Sequence, residues 1–205
     1  ASFALIAYAT SWLKCHHPAA FMAATLSSEM ADTDKVQFFV ADAVSNGLTF
    51  LPPDVSRSRY RFTPVDPKTI RYGLGAIKGT GESAIGAISR AREADGDFAD
   101  LFDFCRRIDK RVVNRRVIEA LVRAGAFDSI DERRASLMAS IGIALEAAEQ
   151  AERDALQVGL FDSGGASGQR LQLVDTPPWS ERERLLNEKQ ALGFFLSGHP
   201  YNEVR

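Results

Sequence analysis

The stretch Ile77-Lys78-Gly79-Thr80-Gly81-Glu82-Ser83-Ala84-Ile85 sets two glycines one residue apart, with a lysine in front and an apolar helical repeat behind. Glycine lets a chain bend tightly, and a helix N-terminus carries unpaired N–H groups at its positive end. Such a bend running into such a helix makes a cradle for a phosphate. Two common phosphate loops do not fit. A P-loop needs its lysine after the last glycine, whereas Lys78 precedes the pair. The dinucleotide fingerprint matches letter for letter over 79–84, but it requires a strand after its helix, and residues 98–124 read as helical.

The third pattern is the turn of a helix-hairpin-helix unit, with Ile77, Gly79, Gly81, Ala84, Ile85 and Ile88 in its places. In such a turn main-chain amides meet a DNA backbone phosphate, and no base edge is read. The plainer alternative is a glycine-rich connector that binds nothing. Such units come in pairs, and 117–141, "VIEALVRAGAFDSIDERRASLMASI", supplies a second bend at Ala124-Gly125-Ala126. There Ala126 stands in place of the second glycine, which leaves phosphate contact by this copy open. Between the bends lies "CRRIDKRVVNRR", where six basic residues (Arg106, Arg107, Lys110, Arg111, Arg115 and Arg116) less Asp109 leave a local charge of +5. The formal net charge of the 205 residues is −2, so nucleic-acid affinity must come from such clustering rather than from the average. The expected backbone contacts are Lys78, Gly79, Thr80, Gly81, Lys110, Arg111, Asn114 and Arg115.

The remaining composition is that of an ordinary folded protein, 45% apolar and 25% charged. Two cysteines make no disulfide framework and suit a reducing compartment, and no apolar run is long enough for a membrane span. The opening "ASFALIAYATSWLK" reads as a helix cut in its middle, so the chain is expected to be a piece of something larger. The spacing predicts a mainly α fold. Two helices break at His16-His17-Pro18, and a third is capped by Asp32 or Thr33 and stopped at Gly47. Two short strands flank Val65-Asp66-Pro67-Lys68. Helices follow over 82–94, 99–107, 113–124 and 131–156, and a last one runs from a Ser180–Glu183 capping box to Gly198. Residues 162–169, "DSGGASGQ", form a linker.

Just before that linker stands Gln157-Val158-Gly159-Leu160-Phe161. A Leu-Phe pair there either tucks into its own core or enters a partner's apolar pocket while Gln157 hydrogen-bonds at the rim. Other constellations are weaker. Asp32-Thr33-Asp34 superficially offers a metal pair but sits at a helix start, where capping is the natural role. Cys15-His16-His17 cannot converge on one zinc ion.

Taken together, the chain resembles the bacterial C-family replicative polymerases, the alpha-subunit family of DNA polymerase III. The likeness rests on "AYATSWLKCHHPAAFMAA", "LPPDVSRSRYRF", "IRYGLGAIKGTGE", "NRRVIEALVRAGAFD", "QVGLF" and "ALGFFLSGHP", in the family's order. It implies the end of a fingers region over 1–70 and a tandem helix-hairpin-helix over 71–156. Residues 157–161 would then be a peptide for the sliding clamp, 162–178 a linker, and 179–205 a lead into an OB-fold. The implied partners are duplex DNA, the beta clamp and other holoenzyme subunits, in the bacterial cytoplasm. The family's palm aspartates and the Mg2+ they hold lie elsewhere, so no catalytic residue and no cofactor is expected in this stretch. The competing reading is a helix-hairpin-helix repair glycosylase drafting Asp95, Asp97 or Asp100. A third is a scaffold whose hairpins touch no DNA.

Overall fold

Proline at the first turn and a run of small residues start the helix that anchors the core. The computed structural model of the chain describes residues 2–158 and 171–198. Helix α1 (Ser2–His16) leads into α2 (Pro18–Glu29), where Pro18 takes a position that needs no amide donor. Asp32 caps α3 (Thr33–Ser45), its carboxylate accepting from the Asp34 and Lys35 amides. The metal-pair alternative for Asp32 thus gives way to the capping role.

A three-stranded sheet follows, β1 (Thr49–Leu51), β2 (Thr63–Asp66) and β3 (Thr69–Arg71), in the order β1-β3-β2. The β2–β3 pair is the hairpin expected around Asp66. Strand β1, parallel to β3, is an addition to that expectation. Then come α4 (Glu82–Asp95), α5 (Leu101–Arg107), α6 (Arg115–Arg123), α7 (Arg134–Val158) and α8 (Glu181–Leu192). Ser180 and Glu183 close the expected capping box on α8. That helix ends at Leu192 rather than Gly198, because Gly193 adopts a left-handed φ of +90° and turns the chain away.

The fold is mainly α, as its periodicity predicts. Helices α5 and α6 lie on α7, and α8 packs against α6. One continuous apolar cluster runs from Ala19 of α2 through Tyr72, Phe104 and Phe127 to Phe194. Helix α1 stays outside it, with Phe3, Leu5, Ile6 and Tyr8 exposed. The segment between Tyr72 and Glu82 is the first bend, and its Lys78 amide bonds to the Ala191 carbonyl of α8.

Candidate nucleic-acid interface

The chain enters the first bend through a 3-10 turn, Leu74–Ala76. Gly79 takes a φ of +85°, which L side chains rarely adopt, and open space lies where its Cβ would be. Thr80 holds the bend from inside. Its amide donates to the Ile77 carbonyl at 3.2 Å, and its hydroxyl lies 2.6 Å from the Leu74 oxygen and 2.7 Å from that of Ile77. Thr80 therefore offers neither donor outward. The Lys78 amide is also taken, donating to the Ala191 carbonyl of α8 at 2.8 Å.

What remains is the exposed set Gly79, Gly81, Glu82 and Ser83, whose amides have no acceptor among the described residues. Gly81 is the N-cap of α4 and brings no side-chain cap of its own. The bend thus presents several uncommitted N–H groups at the positive end of a 14-residue helix. The Lys78 ammonium sits over the turn at Gly193, at the carbonyl end of α8. Glu82 places one carboxylate at the same helix start, and it opposes any anion that docks there.

The second bend shares the left-handed glycine and has the opposite disposition. Gly125 has a φ of +78°, but its amide donates to Val122, the Ala126 amide donates to Leu121, and the Ala126 carbonyl accepts from Val55. Ala126 is fully buried. The Arg134 guanidinium lies across Gly125, bonded to Asp128 at 2.5 and 2.8 Å. Gly125 and Ala126 thus have no uncommitted amide to present outward.

The basic stretch between the bends is largely neutralised from within. Arg107 bonds the Ala91, Gly96 and Asp97 carbonyls and Asp103, and stacks over Phe98. It ties the end of α4 to α5. Burial pushes the Asp103 carboxyl up, but the Ala99 amide with Arg107 and Arg106 outweighs it and holds Asp103 below its usual range. Lys110 Nζ turns back to Glu152 of α7 at 2.9 Å, and Arg115 pairs with Glu119 at 2.9 Å. The Arg115 bond holds the Glu119 carboxyl low. Asn114 caps α6 by accepting from the Val117 amide. Arg111 and Arg116 are exposed, and among the described residues their side chains have no acid partner.

Of the other candidates, Gln157 falls in the last turn of α7, and Leu160 and Phe161 lie outside the described residues. His16 stacks on Trp12, 4.4 Å between centroids, rather than converging with Cys15. Asp100 caps α5, Asp97 pairs with Arg57, and Asp95 lies 3.7 Å from Arg107. Among the described residues, no group of three or more His, Cys, Asp or Glu could hold a metal.

The helix-hairpin-helix motif family matches residues 47–137, which span both bends. A DNA polymerase III subunit alpha of Neisseria meningitidis serogroup B is 52% identical over 98% of this chain. The chain is homologous to one stretch of the DNA polymerase III alpha subunit. The corresponding subunits of Vibrio cholerae and Escherichia coli K12 are 46% and 43% identical over 99% of it. The chain spans 18% of the length of each of these three relatives. None of the helices described is long and apolar enough to cross a membrane.

Proposed function

We propose that this stretch is a non-catalytic grip that holds newly made duplex DNA and the sliding clamp, so that a replicative polymerase stays on its template. The observation that carries the first half is the set of free amides at Gly79, Gly81, Glu82 and Ser83. A phosphate oxygen would accept from them at the start of α4, and Lys78 would add a screened attraction. Such binding ignores base sequence, because only backbone is met. Arg111 and Arg116 are available for further phosphates. Lys110 and Arg115 would first have to leave Glu152 and Glu119.

Support for the second half is the position of Gln157-Val158-Gly159-Leu160-Phe161, where α7 hands over to the Gly/Ser-rich stretch 162–169. A short peptide carrying a Leu-Phe pair is of the kind that enters a partner's apolar pocket. Its Leu and Phe would be the anchors and Gln157 the polar rim. The Mg2+ chemistry of strand extension would belong to paired carboxylates elsewhere in the longer polymerase. Asp32, the acid nearest to such a pair here, is engaged as a cap.

The test is a titration of the 205-residue chain with labelled duplex at two salt concentrations, with and without clamp. Affinity for duplex is expected to fall steeply with salt and to be the same for unrelated sequences. The Leu160→Ala, Phe161→Ala double variant is expected to lose the clamp and keep the duplex. Salt-independent binding would remove the hairpin reading, and full clamp affinity in the double variant would remove the peptide.

A further inference from the structure

Residues 56–62, Ser-Arg-Ser-Arg-Tyr-Arg-Phe, alternate strictly between inside and outside. Ser56, Ser58 and Phe62 are buried, Tyr60 is half-buried, and Arg57, Arg59 and Arg61 are exposed. The segment turns at its start, where the Ser58 amide donates to the Asp54 carbonyl at 2.7 Å, and bends at Tyr60 and Arg61, with the Arg59 and Arg61 side chains left exposed on either side of Tyr60. Backbone bonds hold it in place. The Val55 and Ser58 carbonyls both accept from Arg92 at 3.0 Å, and the Arg59 and Tyr60 carbonyls both accept, from the Leu74 and Gly75 amides, at 2.9 Å. Gly73 and Gly75 allow this close approach, since a Cβ on Gly73 would strike the Arg61 and Phe62 backbone and one on Gly75 the Tyr60 ring.

This segment therefore runs directly beside the entry to the phosphate-binding bend. Gly75 is four positions before Gly79, and a chain spans at most ~3.6 Å per residue, so the two lie within about 14 Å. Each strand of duplex carries a phosphate about every 3.4 Å along the axis, so such a span matches a few consecutive phosphates. The nearby acids are occupied: Asp97 pairs with Arg57 at 3.2 Å, and Asp54 faces Arg71 at 3.9 Å. Arg59 and Arg61 have no side-chain partner among the described residues. Two free, exposed guanidiniums on a rigid segment are suited to bidentate phosphate contact.

We propose that Arg59 and Arg61 form a ridge that continues the track of the first bend along the DNA backbone, adding two phosphate contacts to those of the amides. The inference rests on the hairpin reading above. Its test is the slope of log affinity against log salt for the 205-residue chain with labelled duplex. Arg59→Ala, Arg61→Ala is expected to flatten the slope by about 1.8, at about 0.9 per phosphate lost. Arg59→Lys, Arg61→Lys is expected to retain it. Both pairs are exposed, so circular dichroism is expected to show unchanged folding. An unaltered slope in the alanine pair, with the parent still binding duplex steeply, overturns the ridge and leaves the bend intact. A flat slope in the parent overturns both.

Discussion

The two bends of this molecule share a left-handed glycine and differ in where their amides go. At Gly79 the donors face outward at a helix start. At Gly125 the amides of Ala124, Gly125 and Ala126 are all matched and an arginine closes the top. A backbone N–H that is already hydrogen-bonded has little left for a phosphate. One fold element can therefore leave amides free in one copy and act as a structural joint in the other, with Gly79-Thr80-Gly81 in the first and Ala124-Gly125-Ala126 in the second as the outward sign.

That contrast can be broken in three ways. Arg134→Ala removes the lid of the second bend and leaves Asp128 without its partner. A loss of about 2 kcal/mol is expected in urea unfolding, below the ~3–5 of a fully buried pair because Asp128 keeps some water contact. The folded fraction is expected to bind duplex like the parent, and weakened binding would merge the roles of the two bends.

Glu82→Pro addresses the first bend alone. Proline suits the first helical position, and the preceding Gly81, at φ −92° and ψ 159°, already has the geometry proline demands. The variant deletes one amide donor without deforming the helix. Glu82→Ala is expected to bind duplex more tightly than the parent by loss of a repelling charge. Glu82→Pro is expected to bind about tenfold more weakly than Glu82→Ala, the equivalent of ~1.4 kcal/mol or one charge-assisted hydrogen bond. Equal affinities would mean that this amide meets no phosphate.

The smallest effect is conformational. Gly79→Ala places a Cβ in open space and is expected to cost only the left-handed strain, about 1 kcal/mol in thermal unfolding. Gly125→Ala adds a collision with Arg134 to the same strain and is expected to cost more. A larger loss at 79 than at 125 would reverse the ranking of the bends.

Much of this was legible in the sequence because it is local. The break at Pro18, the Asp32 cap, the Ser180–Glu183 box and the bend at 79–81 are set by neighbours within a few positions. What escaped depends on partners far along the chain. Lys110 looks like part of a basic stripe until the fold brings Glu152 to it, whereas the Arg115–Glu119 pair, four positions apart on one helix, was within reach of the sequence. Strand β1 has only three residues and forms by pairing with β3, some twenty positions away. The outward arginines at 57, 59 and 61 did carry a signal, the period-two alternation with Ser, Tyr and Phe. Its meaning depends on the carbonyl contacts with Leu74 and Gly75.

Gly193 gives this architecture an unexpected reach. A methyl group there would run into Thr33 of α3 and crowd the Lys78 side chain, so three distant stretches meet at one hydrogen atom. A genetic screen for weakened grip on DNA would accordingly recover position 193, more than a hundred residues along the chain from the loop whose posture it governs.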